Sequence, residues 1–308
     1  MQTELLPAEN TEVETLDSEA AWLQARRHGI GASEAAAVLG LSPYKTAFQL
    51  FCEKLEMVEP DEQEREALYW GKVLEPYIAR RYSEVTGRRV AMQPAHQLRR
   101  SRLHPFMVCT LDALTWPAAV PVPMQIKNVT VYKADDWQDE PPVHVQIQEQ
   151  HEMAVTGAPM AVIVGLVGGN RLVHFDVARN DRFIAKLILA EAEFWQRCQD
   201  RQPPAVDGAP GTKELLRNLY PQETPGLTVA LPGELVDVDT ELRVLESSVK
   251  GNAKRIEQLK NTLRAALGEA ECGVLPNGIE WRWKAREVKG YTVQARIDRV
   301  LTRKEPKA

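Results

Sequence analysis

The sequence has little cysteine and no long apolar run. Its four cysteines lie far apart, with no CxxC pair, at Cys52, Cys109, Cys198 and Cys272. This spacing excludes a cysteine-rich metal site and favours a reduced protein of the cytoplasm. No apolar stretch approaches the roughly 20 residues that span a bilayer, so we expect no membrane partner. The acidic, polar residues 1–19 lack the basic start and apolar core of a secretory signal.

Charge is spread unevenly along the 308 residues. The formal net charge is −5, which argues against a general nucleic-acid coat protein. From Gly251 to the end there are 13 Lys and Arg against 7 Asp and Glu, so the rest of the chain carries −11. A basic tail on an acidic body fits a surface that guides DNA, and it fits a solvated helical face equally well.

The pattern of apolar residues predicts a mixed α+β fold followed by a smaller extension. Three strands, a helix, two strands and a helix, with helices in front, predict a central mixed sheet flanked by helices. We expect a disordered N-terminus, a core domain, a connector rich in Pro and Gly, and a C-terminal helix with a β-hairpin. These regions span residues 1–17, 18–202, 203–232 and 233–308.

Local signals predict where several helices begin and end. Ser33 is placed as the N-cap of a short Ala-rich helix. A long helix is predicted to begin at a capping box formed by Asp61 and Glu64 and to end at Gly87. Pro76 predicts a kink or a break in it.

Residue types predict three strands in the middle of the chain. These strand-like segments are 88–93, 106–116 and 122–132, and the last two carry Val, Ile, Thr and aromatic residues. In the extension, the pair Asn277-Gly278 predicts the turn of the hairpin.

The most informative residues are an acid and a lysine in neighbouring strand-like segments. Asp112 lies in CTLDAL, while Gln125 and Lys127 lie in MQIKNV. Residues two apart on a strand point to the same face, and an antiparallel neighbour can place Asp112 beside them. Such an acid can hold Mg²⁺, which polarises a phosphate and lowers the pKa of a water, while the Lys stabilises developing charge. Taken alone, the spacing is equally compatible with a surface salt bridge.

Five segments of the chain strengthen this interpretation by their order and spacing. They are RRHGIGASEAAAVLGLSPYKTAFQLFCEKL, GKVLEPYIARRYSEVTGRRV, HPFMVCTLDAL, MQIKNV and HVQIQEQHEMAVTG. From Trp22 to Gly157 the chain resembles the lambda exonuclease family, also called YqaJ-type viral recombinases, within the restriction-endonuclease-like nucleases. The resemblance implies a restriction-endonuclease-like core in the predicted mixed α+β fold.

The same resemblance implies an activity and partners. We expect a 5′→3′ exonuclease that acts on the ends of linear double-stranded DNA in phage-type recombination, with two Mg²⁺ (or Mn²⁺) ions. It further implies a ring-shaped homotrimer, a single-strand annealing protein as partner, and the cytoplasm of a bacterial host with a phage or prophage origin.

The resemblance also assigns roles to single residues of the predicted metal site. Asp112 matches the central metal ligand, Glu75 a helix carboxylate that assists with the metals, and Lys127 the catalytic lysine. Gln125 stands where the family has a metal-binding Glu. Gln148 or Gln146 matches a Gln that contacts the site.

A second group of residues matches the DNA-binding part of the family pattern. Thr110 occupies the position of a small hydroxyl residue near the scissile phosphate. Arg26 or Arg27, together with Ser33 and the backbone N–H groups at a helix start, would bind a 5′-phosphate. Ser33 can equally be a plain N-cap without a ligand.

Gln125 is the departure that leaves the activity open. A neutral amide coordinates a metal through its carbonyl oxygen but brings no charge, so Mg²⁺ should bind more weakly. The chain is then an exonuclease that tolerates Gln, a protein carrying an engineered substitution, or a DNA-end-binding recombination scaffold without catalysis. An unrelated class, a protein–protein adaptor, would rest on the C-terminal helix and the Trp281-Arg282-Trp283 segment.

Overall fold

The structure is a computed structural model that describes residues 10–58, 65–219, 233, 235–267, 272–274 and 280–282. It divides the chain into two units, residues 1–220 and 221–308. The strands of the first unit are β1 (Thr11–Thr15), β2 (Ile30–Gly31), β3 (Val90–Met92), β4 (Gln97–Ser101), β5 (Met107–Cys109), β6 (Ala113–Thr115), β7 (Val122–Val129), β8 (Met160–Val167) and β9 (Arg171–Ala178). Its helices are α1 (Glu19–Arg27), α2 (Ala35–Val38), α3 (Ala47–Lys54), α4 (Arg65–Thr86), α5 (Val143–Thr156), α6 (Asp181–Gln199) and α7 (Pro210–Leu219).

Two sheets organise the first unit. One has the order β3-β6-β7-β8-β9, with β7 and β8 parallel and the other pairs antiparallel. The other has the order β1-β4-β5-β2, with β2 and β5 parallel. Because parallel neighbours need a crossover connection, α5 lies between β7 and β8 in the chain. The predicted mixed α+β class, with a mixed sheet flanked by helices, is confirmed.

Strand β7 separates the packed core from the polar site. Met124 and Ile126 pack with Ile78 and Tyr82 of α4. Because side chains alternate along a strand, Gln125 and Lys127 point to the opposite face, where α5 lies. One strand therefore supports the core with its even-numbered residues and the site with its odd-numbered ones.

The N-terminal residues from 10 onward are ordered, which corrects the expectation of disorder up to residue 17. Strand β1 pairs with β4, and the hydroxyl of Thr11 donates to the carbonyl of Val155 at 2.9 Å. Both strands are polar in sequence, so their pairing depends on tertiary contacts that periodicity does not reveal. Residues 1–9 lie outside the described residues.

The single strand predicted over residues 106–116 is wrong, because two strands of different sheets form there. Strand β5 ends at Cys109 and β6 begins at Ala113. Between them, the carbonyl of Asp112 accepts from the N–H of Gln93 at 3.0 Å. Its carboxylate accepts from the N–H of Ile126 at 2.8 Å. These two hydrogen bonds hold the segment in which the chain passes from the sheet of β5 to the sheet of β6.

Two helix predictions need correction. Ser33 is not an N-cap, since it lies inside a 3₁₀ turn over Ala32–Glu34, where Glu34 accepts from the N–H of Gly31 at 2.7 Å. Helix α4 runs without interruption through Pro76 to Thr86, and Gly87 follows it with φ +69°. Pro76 is exposed, so the carbonyl that its ring leaves without a donor can face water. Asp61 and Glu64 lie outside the described residues.

The predicted connector contains a packed helix. In α7, Leu215 joins Phe48 and Phe51 of α3 in one buried cluster. The Thr212 hydroxyl lies 3.3 Å from that of Thr46. The Pro and Gly content of this region concealed the short apolar face of α7.

The second unit contains α8 (Leu235–Leu267) and the strands β10 (Cys272–Val274) and β11 (Glu280–Arg282). The two strands pair antiparallel, with Gly273 opposite Trp281. The predicted helix and hairpin strands are thus present, while the turn at Asn277-Gly278 and Trp283 lie outside the described residues. Over the described ranges, no helix combines the length and apolarity that crossing a membrane requires.

A buried ion pair joins α5 to α6. Nδ1 of His151 lies 2.8 Å from a carboxylate oxygen of Glu191, and Nε2 lies 3.1 Å from the carbonyl of Val108. Because carboxylate and carbonyl oxygens only accept, both ring nitrogens carry a proton. Burial acts to lower the pKa of His151, but Glu191 outweighs it and raises the pKa above the ordinary 6.5.

Replacing His151 by alanine should lower the free energy of unfolding by about 3 kcal/mol, because it leaves the Glu191 carboxylate buried without its partner. The contribution of a raised histidine pKa is fully present below the unfolded value and declines as pH rises through the folded one. Urea denaturation at pH 6 and at pH 9 should therefore show the larger gap between native and variant at pH 6. The matched control is His28→Ala, which removes an exposed side chain. Equal, small losses for both variants would contradict this account.

Candidate active site

The predicted meeting of Asp112, Gln125 and Lys127 is present. Strands β6 and β7 pair antiparallel with Ala113 opposite Met124, which brings Asp112 next to Gln125. Besides the N–H of Ile126, the Asp112 carboxylate accepts a hydrogen bond from the side-chain amide of Gln125. Lys127, two residues further along β7, is half-buried on the same face.

Gln148 of α5 connects these side chains. Its carbonyl oxygen accepts from Nζ of Lys127 at 3.1 Å. Its amide nitrogen donates to the side-chain oxygen of Gln125 and, at 3.1 Å, to a carboxylate oxygen of Glu152. Asp112, Gln125, Lys127 and Gln148 are called the carboxylate–lysine site below.

Of the two candidate glutamines in α5, only Gln148 contacts this site in the structure. The amide of Gln146 instead donates to the carbonyl of Pro141 at 2.7 Å and to Glu140 at 3.4 Å. Gln146 therefore secures the start of α5.

Gln125 is a bridge between its neighbours. Its amide nitrogen faces Asp112, because an ionised carboxylate only accepts hydrogen bonds. Its carbonyl oxygen already accepts from Gln148. The oxygen that was expected to reach a metal is thus engaged in the network.

The site is rich in buried carboxyl groups. Burial, and then the charge of Asp112, raise the pKa of Glu75 on α4 to about 7. Burial also raises the pKa of Asp112 above its ordinary value, although Lys127 acts in the opposite direction. Such shifts mark groups that lose solvation without gaining enough positive charge.

Two further acids, missed at the level of sequence, lie on α5. Glu149 and Glu152 are fully buried. Burial and neighbouring acids raise the pKa of Glu152 to about 8 and that of Glu149 well above its ordinary value. Both oxygens of Glu149 and one of Glu152 have no hydrogen-bond partner. The sequence did contain a signal for Glu152. It lies four residues after Gln148, and this spacing puts the two side chains on one face of the helix.

These residues fit a magnesium ion that is shared with a substrate. Mg²⁺ commonly binds through one or two carboxylates plus phosphate oxygens, and Asp112 and Glu75 are two such carboxylates. The unpartnered buried oxygens nearby also favour a cation. Within the described ranges, no three or more Asp, Glu, His or Cys side chains are arranged to hold a metal by themselves. A phosphate oxygen from a substrate would therefore have to complete the coordination.

A second polar group, the Arg26 cluster, consists of Trp22, Arg26, Ser33 and Thr110. The Arg26 guanidinium lies 4.8 Å from the centre of the Trp22 ring and donates to the Ser33 hydroxyl at 3.3 Å. The indole N–H of Trp22 donates to the hydroxyl of Thr110 at 3.0 Å. Because Thr110 is two residues from Asp112, the cluster adjoins the carboxylate–lysine site.

Neighbouring backbone and charges position Arg26. A Cβ added at Gly31 would lie 2.9 Å from Nη2 of Arg26, so a larger residue there would displace the guanidinium. Burial acts to raise the pKa of Glu34, but Lys54 and then Arg26 outweigh it and lower the pKa. Arg27 makes different contacts, since it pairs with Glu56 at 2.8 Å.

The first unit combines a mixed sheet between helices with an acid that immediately precedes β6 and a lysine on the adjacent strand β7, an arrangement that agrees with the restriction-endonuclease-like core implied by the resemblance. Residues 21–159 match the family of YqaJ-like viral recombinase domains. The expected family resemblance, placed at residues 22–157, is confirmed.

Individual relatives span more of the chain. The uncharacterized protein YqaJ of Bacillus subtilis (strain 168) is 28% identical over 260 residues, which cover 83% of this chain and 80% of the relative. A crystal structure of LHK-Exo in complex with dAMP is 20% identical, with a TM-score of 0.49 over 64% of this chain and 95% of that one. A phage related exonuclease from Haemophilus somnus 129PT is 12% identical, with a TM-score of 0.42 over 56% of this chain and 94% of that one.

Proposed function

We propose that the chain is a metal-dependent deoxyribonuclease that degrades one strand of linear duplex DNA from its 5′ end in phage-type recombination. The single observation that carries this proposal is that Asp112, immediately before β6, lies next to Gln125 on the strand that also carries Lys127, within residues that match the viral recombinase family. A lysine held beside buried carboxylates is suited to phosphodiester hydrolysis, where negative charge develops on phosphate oxygens.

In this mechanism Asp112 and Glu75 would hold magnesium, which when bound would polarise the scissile phosphate and lower the pKa of a water. Gln148 accepts from Lys127 and so directs the ammonium group, which stabilises the charge that develops as the phosphodiester bond breaks. Thr110, two residues from Asp112, is placed to contact the phosphate backbone.

The Arg26 cluster would recognise the 5′-phosphate at the DNA end. Arg26 and the exposed hydroxyl of Ser33 offer donors to phosphate oxygens, and a guanidinium forms strong paired hydrogen bonds to them. Stacking on Trp22 keeps the guanidinium in place. Because the cluster adjoins the carboxylate–lysine site, a bound 5′-phosphate would lie near the bond that is cut.

Arg26 should therefore contribute more than Arg27 to the preference for 5′-phosphorylated DNA ends. Replacing Arg26 by alanine should lower the preference for 5′-phosphorylated over 5′-hydroxyl ends by about tenfold, the value of one or two hydrogen bonds to a charged group. The matched control is Arg27→Ala, because Arg27 is adjacent in sequence but pairs with Glu56. Rates on duplexes that differ only at the 5′ end measure the effect. An equal loss in both variants would argue against an Arg26 phosphate site.

The direct test of the proposal uses one linear duplex labelled at either end of a single strand. In Mg²⁺, the label at the 5′ end should be released first and the label at the 3′ end last. Release in the opposite order would contradict the direction, and no release in Mg²⁺ or Mn²⁺ would contradict the nuclease.

Assembly and partners belong to the same proposal. A homotrimeric ring around DNA and cooperation with a single-strand annealing protein, in a bacterial cytoplasm, follow from the family and not from the contacts described above. Sedimentation of the purified chain would report the trimer.

A second candidate is a DNA-end-binding recombination scaffold of the same fold. The observation that favours it is Gln125, whose amide brings no charge and whose oxygen is engaged by Gln148. The two candidates differ in turnover and agree in binding DNA ends, so the labelled duplex also distinguishes them.

A further inference from the structure

The clearest unexplained feature of the molecule is the acidic face of α5. A helix packed on all sides usually presents apolar residues inward. Here Glu149 and Glu152 are fully buried, and three of their four carboxylate oxygens have no hydrogen-bond partner. A buried carboxyl group that makes no hydrogen bond is costly, and a bound cation would stabilise it in its ionised form.

Few positive groups act on these acids. Asp112 acts to raise the pKa of both Glu149 and Glu152, while Lys127 acts to lower the pKa of all three acids. His151, which also acts to lower the pKa of Glu152, is already paired with Glu191. A divalent cation would offset much of the excess negative charge.

Hydrogen bonds place the Glu152 carboxyl group close to Gln125, the position where the family has a metal-binding Glu. Gln148 donates to both Gln125 and Glu152, so a single amide group separates the neutral residue from a carboxylate. One oxygen of Glu152 is used by Gln148, and the other is free to accept a cation. Gln125 itself has its carbonyl oxygen engaged.

We propose that Glu152, with Glu149 beside it, supplies to the divalent-cation site the negative charge that position 125 lacks. This inference rests on the proposed function, because it concerns the same site. Asp112 and Glu75 remain the two carboxylates that would hold the ion, and the carboxylates of α5 act on it through their negative charge. Gln125 then fixes the positions of Asp112 and Gln148, because it makes a hydrogen bond to each of them.

Binding of Mn²⁺ to the DNA-free protein tests the proposal without any cleavage assay. Isothermal titration calorimetry and the electron paramagnetic resonance of free Mn²⁺ both measure the affinity. Glu152→Gln should weaken Mn²⁺ binding by about tenfold or more, as loss of a charged group near a metal does. Glu149→Gln should weaken it as well. In the Glu152→Gln background, Gln125→Glu should restore most of the affinity, because it returns a carboxylate to the sheet side.

The matched control is Glu191→Gln, which neutralises another fully buried carboxylate, one that is paired with His151 instead. It should leave Mn²⁺ affinity unchanged, and circular dichroism should show that all variants are folded. Unchanged Mn²⁺ affinity in both α5 variants would overturn the proposal. So would a native protein that binds no Mn²⁺. If the native protein nevertheless degrades DNA in Mg²⁺, only the inference about α5 fails. If it neither binds the metal nor degrades DNA, the proposed nuclease fails with it.

Discussion

Replacing Lys127 by alanine is expected to lower the rate of DNA cleavage by about 10³-fold, the usual loss when one preorganised electrostatic donor is removed from a hydrolytic site. Lys127 acts to lower the pKa values of Glu75, Asp112 and Glu149, and Gln148 accepts a hydrogen bond from it at 3.1 Å. Affinity for DNA ends should fall by less than about tenfold, because phosphate contacts are shared among many side chains. Single-turnover cleavage and equilibrium binding to the same duplex measure the two effects.

The matched control for this variant is Lys186→Ala on α6, an exposed lysine on the same unit. It should leave both the rate and the affinity close to those of the native protein. A Lys127→Ala variant that cuts at more than a tenth of the native rate would remove Lys127 from the chemistry. A variant that loses rate and affinity together would assign Lys127 to DNA binding.

Replacing Asp112 by asparagine is expected to have the other large effect. Cleavage should fall by about 10³-fold or more, because the central carboxylate that would hold the metal is lost. Stability without metal should be unchanged or higher, since burial already raises the pKa of Asp112 and a neutral amide removes that charge from beside Glu75 and Glu152. Asparagine can keep one oxygen where it accepts from the N–H of Ile126.

Thermal melting in EDTA and in Mn²⁺ separates these two effects. Mn²⁺ should raise the melting temperature of the native protein and of the control Asp181→Asn, whose side chain is 80% exposed. It should not raise that of Asp112→Asn. A variant that loses activity because it is unfolded in EDTA would contradict the assignment, as would one that Mn²⁺ still stabilises fully.

The central part of the site was predictable because it depends on strand geometry. The alternation of side chains along β7 puts Gln125 and Lys127 on one face whatever the surrounding packing, and antiparallel pairing brings in Asp112. The short segment between β5 and β6 is different. Two hydrogen bonds to Asp112 create it, and these bonds exist only once the sheets have formed.

The contribution of α5 was less predictable because it depends on how the helix is rotated against the sheet. Gln148 and Gln146 are equivalent in the sequence, and packing alone places Gln148 toward Lys127. The same rotation buries Glu149 and Glu152, which a pattern of apolar residues would place on a solvated face. Strands β1 and β4 were missed for a related reason, since each is polar and forms only through the other.

The central claim is that this site hydrolyses DNA from ends with the help of a divalent metal. The most direct measurement mixes the native protein with linear and with covalently closed circular duplexes of the same sequence, in Mg²⁺ and in EDTA. The account predicts that the linear duplex is converted to nucleotides and single-stranded DNA in Mg²⁺, while the circle and all EDTA samples stay intact. A linear duplex that is bound but left whole in both Mg²⁺ and Mn²⁺ would contradict it and favour the scaffold.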